Sequence, residues 1–184
     1  MNIEEFFQQS IGKWFAHRTS HDLADKKSLE AKSDIVIDSV STNAPEVINL
    51  CEMHQIQPNN IACSVRINWN DTTKLNQKNT GSNVLVFVPD AKNKDEGQFL
   101  RSVSSSEKNV PGHYKLGTDE SLTLIFETEN FYSEERMWFA SSNLRMRVSV
   151  IKQGKDFSMT SFTSEIRMGV APPAQTQATN SASK

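Results

Sequence analysis

A chain of 184 residues suggests one domain, or two small ones at most. Lys and Arg total 20 against 22 Asp and Glu, a formal net charge of -2, which argues against a general nucleic-acid binder because no basic excess displaces counterions from phosphates. Mean hydropathy is -0.53, yet 10 Phe and 3 Trp can fill one core, and no run approaches the roughly 18 apolar residues of a membrane span.

The opening MNIEEFFQQS carries acids where a secretory signal would carry positive charge, so a soluble, intracellular chain is expected. The same residues predict a short helix with Ile3, Phe6 and Phe7 on one side, ended by Gly12. Residues 12–21 alternate as a strand, with Trp14, Ala16, Arg18 and Ser20 on one face and Phe15, His17 and Thr19 on the other. A second strand is predicted over 32–41 and a second helix over 41–56. Thr42 or Asn43 could cap that helix, Pro45 suits its first turn, and Val47, Ile48, Leu50 and Cys51 form its apolar face.

After Pro58 the pattern is almost entirely β. Residues 61–71 alternate, with Cys63, Val65, Ile67 and Trp69 against Ser64, Arg66 and Asn68. Residues 81–90 are apolar throughout, which predicts a strand buried on both faces. Further strands are predicted over 98–106, 113–117, 121–130, 132–142, 144–153 and 156–168, joined by short connections rich in turn residues. About ten strands with local connections predict an all-β fold with two short helices, an antiparallel up-and-down barrel without free edges. The barrel domain is expected over residues 1–170. The tail, 171–184, lacks any aromatic or large aliphatic residue and is expected to be disordered.

Cys51 and Cys63 read as reduced, semi-buried thiols, and His17, His21, His54 and His113 form no metal-binding motif, so no metal is expected. The late strands are more informative. Arg145, Arg147 and Ser149 share one face opposite Leu144, Met146, Val148 and Val150; Ser161, Thr163, Glu165 and Arg167 oppose Phe162, Ile166 and Met168. Before them, Glu134, Arg136 and Trp138 alternate with Glu135, Met137 and Phe139, and either glutamate could point inward. These polar faces are either a solvated outer surface laced by cross-strand ion pairs or the wall of a pocket. Arg18 on the Trp14 face and Trp69 at the end of an apolar face favour the pocket. Arginines, a carboxylate and a Trp wall suit a flat, conjugated, anionic ligand. Gly12-Lys13-Trp14 after a short helix is also the G-x-W pattern of lipocalin-like barrels, in which the Trp closes one barrel end.

MNIEEFFQQSIGKWFAHRTSHDLA, VRINWND, SEERMWFASSNLRMRVSVIK and FTSEIRMG together resemble the S/U-type phycobiliprotein lyases, the CpcS/CpeS-like chromophore lyases, from about Met1 to Gly169. The resemblance implies a lipocalin-like barrel of ten strands that binds a linear tetrapyrrole, phycocyanobilin or phycoerythrobilin. It implies transfer of that bilin to a cysteine of a phycobiliprotein subunit as a thioether, with the bilin as bound substrate and no cofactor required. By position, Arg18, Trp69, Arg145, Arg147 and Glu165 match the family's pocket residues, and Ser149 and Ser161 lie on the same faces. Glu165 and Arg147 carry the expected catalytic roles, Glu165 contacting pyrrole nitrogens and supplying a proton. Expected partners are the acceptor subunit and a second copy or a related lyase subunit, with no nucleic acid and no membrane. The expected compartment is the cyanobacterial cytoplasm, or a plastid if the gene is algal. The alternatives are a non-catalytic bilin carrier or a partner subunit of a heteromeric lyase. A lesser alternative is a fatty-acid or haem carrier in which the second helix is a lid over the cavity.

Overall fold

The computed structural model describes residues 1–74, 79–102, 110–154 and 157–169; the tail expected from residue 171 lies outside them. The chain runs α1 (Ile3–Ser10), β1 (Gly12–Asp22), β2 (Lys27–Ser39), α2 (Pro45–Met53), β3 (Cys63–Asp71), β4 (Asn79–Pro89), β5 (Glu96–Arg101), β6 (Gly112–Leu116), β7 (Leu122–Thr128), β8 (Phe131–Ser141), β9 (Leu144–Gln153) and β10 (Phe157–Arg167). Each strand pairs antiparallel with its chain neighbour, and β1 pairs with β10 to close the barrel. The expected architecture is therefore observed.

Several boundaries differ from expectation: the strand expected over 98–106 is observed as Glu96–Arg101, with residues 103–106 outside the described residues, and two further differences have a clear cause. β2 begins earlier, at Lys27, because its polar first half pairs along the full length of β1 and needs no apolar face to do so. The N-cap of α2 is Ala44, with no side-chain cap, rather than Thr42 or Asn43; Pro45 at the first turn, with its fixed φ, sets the start instead.

One end of the barrel is solid. Asn2 and Glu5 form a reciprocal capping box that starts α1, and Phe6 and Phe7 are buried beneath it. Phe7 packs on Phe87 with ring centres 4.5 Å apart, and Phe6 on Phe139 at 5.2 Å. Gly12, at φ 128°, turns the chain from helix into β1, a conformation that favours glycine. Trp14 donates its Nε1–H to Ser10 O at 2.8 Å, and Arg167 lies over the indole, 4.2 Å from the ring centre. The same guanidinium donates to Gln9 O at 2.5 Å and Ile11 O at 2.7 Å. Trp14 therefore closes the barrel floor, as its G-x-W setting predicts.

α2 does not cover the barrel mouth. Val47, Leu50 and Cys51 pack on the outward Val84, Val86 and Leu100 of β4 and β5, a second small core outside the barrel. That contact explains why β4 is apolar on both faces: Leu85 and Phe87 face inward while Val84 and Val86 are covered by the helix.

Candidate functional site

Pairing register stacks the inward residues of four neighbouring strands in layers. Nearest the floor, Ala16, Glu165, Arg145 and Phe139 face one another across β1, β10, β9 and β8. One step up come Arg18, Thr163, Arg147 and Met137; above them, Ser20, Ser161, Ser149 and Glu135. β2, β3 and β4 supply the facing wall, mainly Ile35, Ile37, Ile67 and Leu85, with Trp69 at the mouth. Between the two walls lies a cavity of about 280 Å³ whose base is Phe7.

The polar wall is held by a chain of charges. Glu165 is fully buried and accepts from Arg145 Nε at 2.5 Å and from Arg147 Nη2. Arg147 reaches upward as well, its Nη1 lying 3.5 Å from Glu135 Oε1. Arg145 is itself buried, with its guanidinium carbon 5.1 Å from the Trp14 ring centre. Two arginines and two glutamates thus alternate, and the cluster is neutral overall. Burial alone would push the Glu165 carboxyl up, but Arg147 and Arg145 outweigh it and hold it below the usual carboxylate range. Burial pushes the Arg147 guanidinium down, and Glu165 and Glu135 more than reverse that, so its affinity for its proton is raised.

Of the residues expected at the site, Arg18, Trp69, Arg145, Arg147 and Ser149 line the cavity. Glu165 and Ser161 do not. Glu165 sits behind the arginines with both oxygens engaged, and Ser161 Oγ is buried 2.9 Å from Ser20 Oγ. Both oxygens of Glu165 are thus taken up by Arg145 and Arg147, which pull its carboxyl below the usual range. The carboxylate at the cavity wall is Glu135. Glu134 is excluded from it by an outward hydrogen bond from Tyr132 Oη. The sequence signal for Glu135 was its alternation with Met137 and Phe139, both inward. Thr163, Met137 and Phe7 also line the cavity; Thr163 lies on the polar face that alternation marks, while nothing in the local pattern of Met137 and Phe7 marks them as more than core residues.

Cys51 and Cys63 are free thiols remote from this wall; burial, with Glu4 adding to it, pushes the Cys63 thiol up to about 12. Among the described residues no cluster of His, Cys, Asp and Glu could hold a metal, and no helix is long and apolar enough to cross a membrane.

A family model described as CpeS-like protein matches residues 2–168. The chain is 47% identical to the chromophore lyase CpcS/CpeS of Thermosynechococcus vestitus, over 95% of this chain and 97% of the relative. It is 32% identical to the phycocyanobilin lyase subunit CpcS of a Picosynechococcus species, over 96% and 91% of the two chains. Among solved structures, the S-type phycobiliprotein lyase CpeS of Guillardia theta superposes with a TM-score of 0.83 at 32% identity, covering 93% of this chain and 95% of that one.

Proposed function

The chain belongs to the CpeS-like family, and from that premise we propose that it is a phycobiliprotein lyase that takes up phycocyanobilin or phycoerythrobilin and attaches it to a cysteine of a phycobiliprotein subunit. The observation that carries this reading is Arg147. Its guanidinium lines the cavity, is fixed from two sides by Glu165 and Glu135, and has a buried Nε without a hydrogen-bond partner among the described residues. A cation so placed offers directed N–H groups to a propionate or a lactam oxygen.

In the proposed complex the pigment curls between the aliphatic wall and the arginine wall. Arg18, Arg145 and Arg147 hold its acidic groups, Trp69 packs on its conjugated system, and Glu135 accepts from pyrrole N–H groups. Glu165 is a positioning residue that keeps both guanidiniums aimed. Ligand pockets commonly enclose about 300–1,000 Å³, so a cavity of about 280 Å³ holds only part of a four-ring pigment and leaves the rest at the mouth. There the acceptor thiol adds across the ethylidene double bond of ring A. Sulfur bonds the exocyclic carbon, the thiol proton passes to the pigment, and nothing leaves. Glu135 or water at the mouth relays that proton. The lyase contributes orientation, so that one carbon face meets one thiol. No cofactor is required.

Incubation with phycocyanobilin or phycoerythrobilin and single apo-subunits tests the reading. Zinc-enhanced fluorescence on a denaturing gel should mark a subunit. Pigment retained by the barrel with no marked subunit in any pairing would instead make the chain a carrier or half of a heteromeric lyase.

The proposed compartment is the cytoplasm of a cyanobacterium, or the plastid if the gene is algal. The proposed second partner is another copy of this chain. Met146, Val148, Phe162 and Ile166 form an uncharged patch on the outer face of β9 and β10, with Phe162 45% and Ile166 52% exposed. A two-fold contact would set this patch against itself with no like charges opposed.

A further inference from the structure

Three inward aromatics lie opposite a glycine on the neighbouring strand: Trp69 and Gly81, Tyr114 and Gly97, Phe99 and Gly112. In each pair the ring occupies the place where a glycine Cβ would stand. Two of the three are also hemmed in by backbone. A Cβ on Gly97 would meet Val88 O and Pro89 Cα, and one on Gly112 would meet Ile125 O at 2.9 Å. Gly81 is different. The three atoms nearest its Cβ position are all carbons of the Trp69 six-membered ring, none farther than 2.6 Å, and its φ lies outside the left-handed region. The nearest obstacle to a side chain at Gly81 is one half-exposed indole.

We infer that Gly81 is a positioning residue of the cavity: its bare backbone lets the Trp69 indole lie across β4 and so fixes the aromatic edge of the mouth. The ring cannot lie there over any other residue, because even a methyl group overlaps it. An indole displaced from β4 swings into the cavity or out into solvent. Either movement changes the surface offered to a flat conjugated ligand. The consequence for pigment rests on the cavity being the bilin site; the consequence for the indole does not.

The experiment uses the full chain labelled with 15N at its three indoles, with the Trp69 resonance identified by its loss in Trp69→Phe. In Gly81→Ala the Trp69 resonance should move while those of Trp14 and Trp138 stay in place. Phycocyanobilin should bind roughly tenfold more weakly, the weight of one aromatic contact, with a shifted absorption band. In a Trp69→Ala background Gly81→Ala should change neither affinity nor band further, since the two residues act as one unit. Should Gly81→Ala alone unfold the barrel, the double variant restores folding if the ring is the obstacle; its failure to do so overturns the inference. A Trp69 resonance that does not move overturns it outright, as does an equal loss of affinity from Gly81→Ala in both backgrounds. A moved resonance with pigment affinity and band indifferent to Trp69→Ala defeats the cavity reading, and with it the effect on the pigment.

Discussion

Glu165 does more for the pocket by being hidden than it could do exposed. A buried carboxylate between two guanidiniums is costly to bring out of water, and removing one partner of such a set typically costs about 3–5 kcal/mol. Glu165→Gln should therefore lower the melting temperature markedly, and phycocyanobilin binding should weaken with it because Arg145 and Arg147 lose their common anchor. The pH dependence follows from the sign of the shift. The folded carboxyl titrates below the unfolded value of about 4.3, so the unfolded chain binds more protons in that window. The contribution is complete above the unfolded pKa and is lost as pH falls through the folded one. Thermal unfolding of the native chain and Glu165→Gln between pH 7 and 3 should show the gap in melting temperature closing on acidification.

At the cavity itself, Arg147→Ala removes a desolvated charge-assisted contact of about 1.5–3 kcal/mol, a loss of roughly one to two decades in pigment affinity. Glu135→Gln should instead shift the absorption band with a smaller change in affinity, because it exchanges an anion beside the pyrroles for a dipole. The thiol of Cys63 stays protonated at neutral pH. Cys51→Ser with Cys63→Ser should thus leave transfer unaffected, measured as pigment on the acceptor; a loss of transfer in a folded double variant would indicate a covalent relay.

Among the elements, α1 stands out because a side chain distant in sequence adds to the hold of its own buried phenylalanines. Arg167 of β10 donates to two carbonyls at the C-terminal end of α1 and stacks on Trp14 of β1. Arg167→Ala should cost about 2–3 kcal/mol, from charge-assisted hydrogen bonds and a partly buried cation–π contact that do not simply add. Hydrogen exchange should then rise at the amides of α1 before those of the strands. The same strands show what the sequence alone discloses. Alternation in 144–153 and 156–168 sorts Arg145, Arg147, Ser149, Thr163 and Glu165 onto shared polar faces, which Arg18 and Trp69 favour as a pocket wall. It could not distinguish a residue at the cavity from one behind it, because that depends on a diagonal contact, Arg147 to Glu165, set by cross-strand register. Alternation alone leaves Glu134 and Glu135 equivalent; Met137 and Phe139, packed inside, place Glu135 inward. The unpatterned half of β2 is hidden in the sequence for a related reason: its pairing with β1 is made by backbone groups, which leave no side-chain signature.

On the scale of the whole molecule, the barrel is asymmetric, with acids and arginines on β8, β9, β10 and β1 and aliphatics on β2 to β4. A pigment held between them meets charge on one edge and hydrocarbon on the other, which suits a tetrapyrrole with propionates on one side. Outside the arginine wall lies the uncharged patch of β9 and β10. If it seats a second copy, light scattering should find a dimer in the native chain and a monomer in Phe162→Lys with Ile166→Lys. Pigment binding should persist in that variant, since both residues point away from the cavity.

Closure of β1 onto β10 also has a consequence for biosynthesis. The arginine wall joins β1 to β8, β9 and β10, so a nascent chain still short of β10 has the greasy half of its pocket and only three of the four strands of the other, with a gap between β9 and β1. Until the ribosome has released that final strand, there is no Glu165 to gather the guanidiniums. Chains arrested before Phe157 should be unable to capture pigment, however much sheet they have already formed.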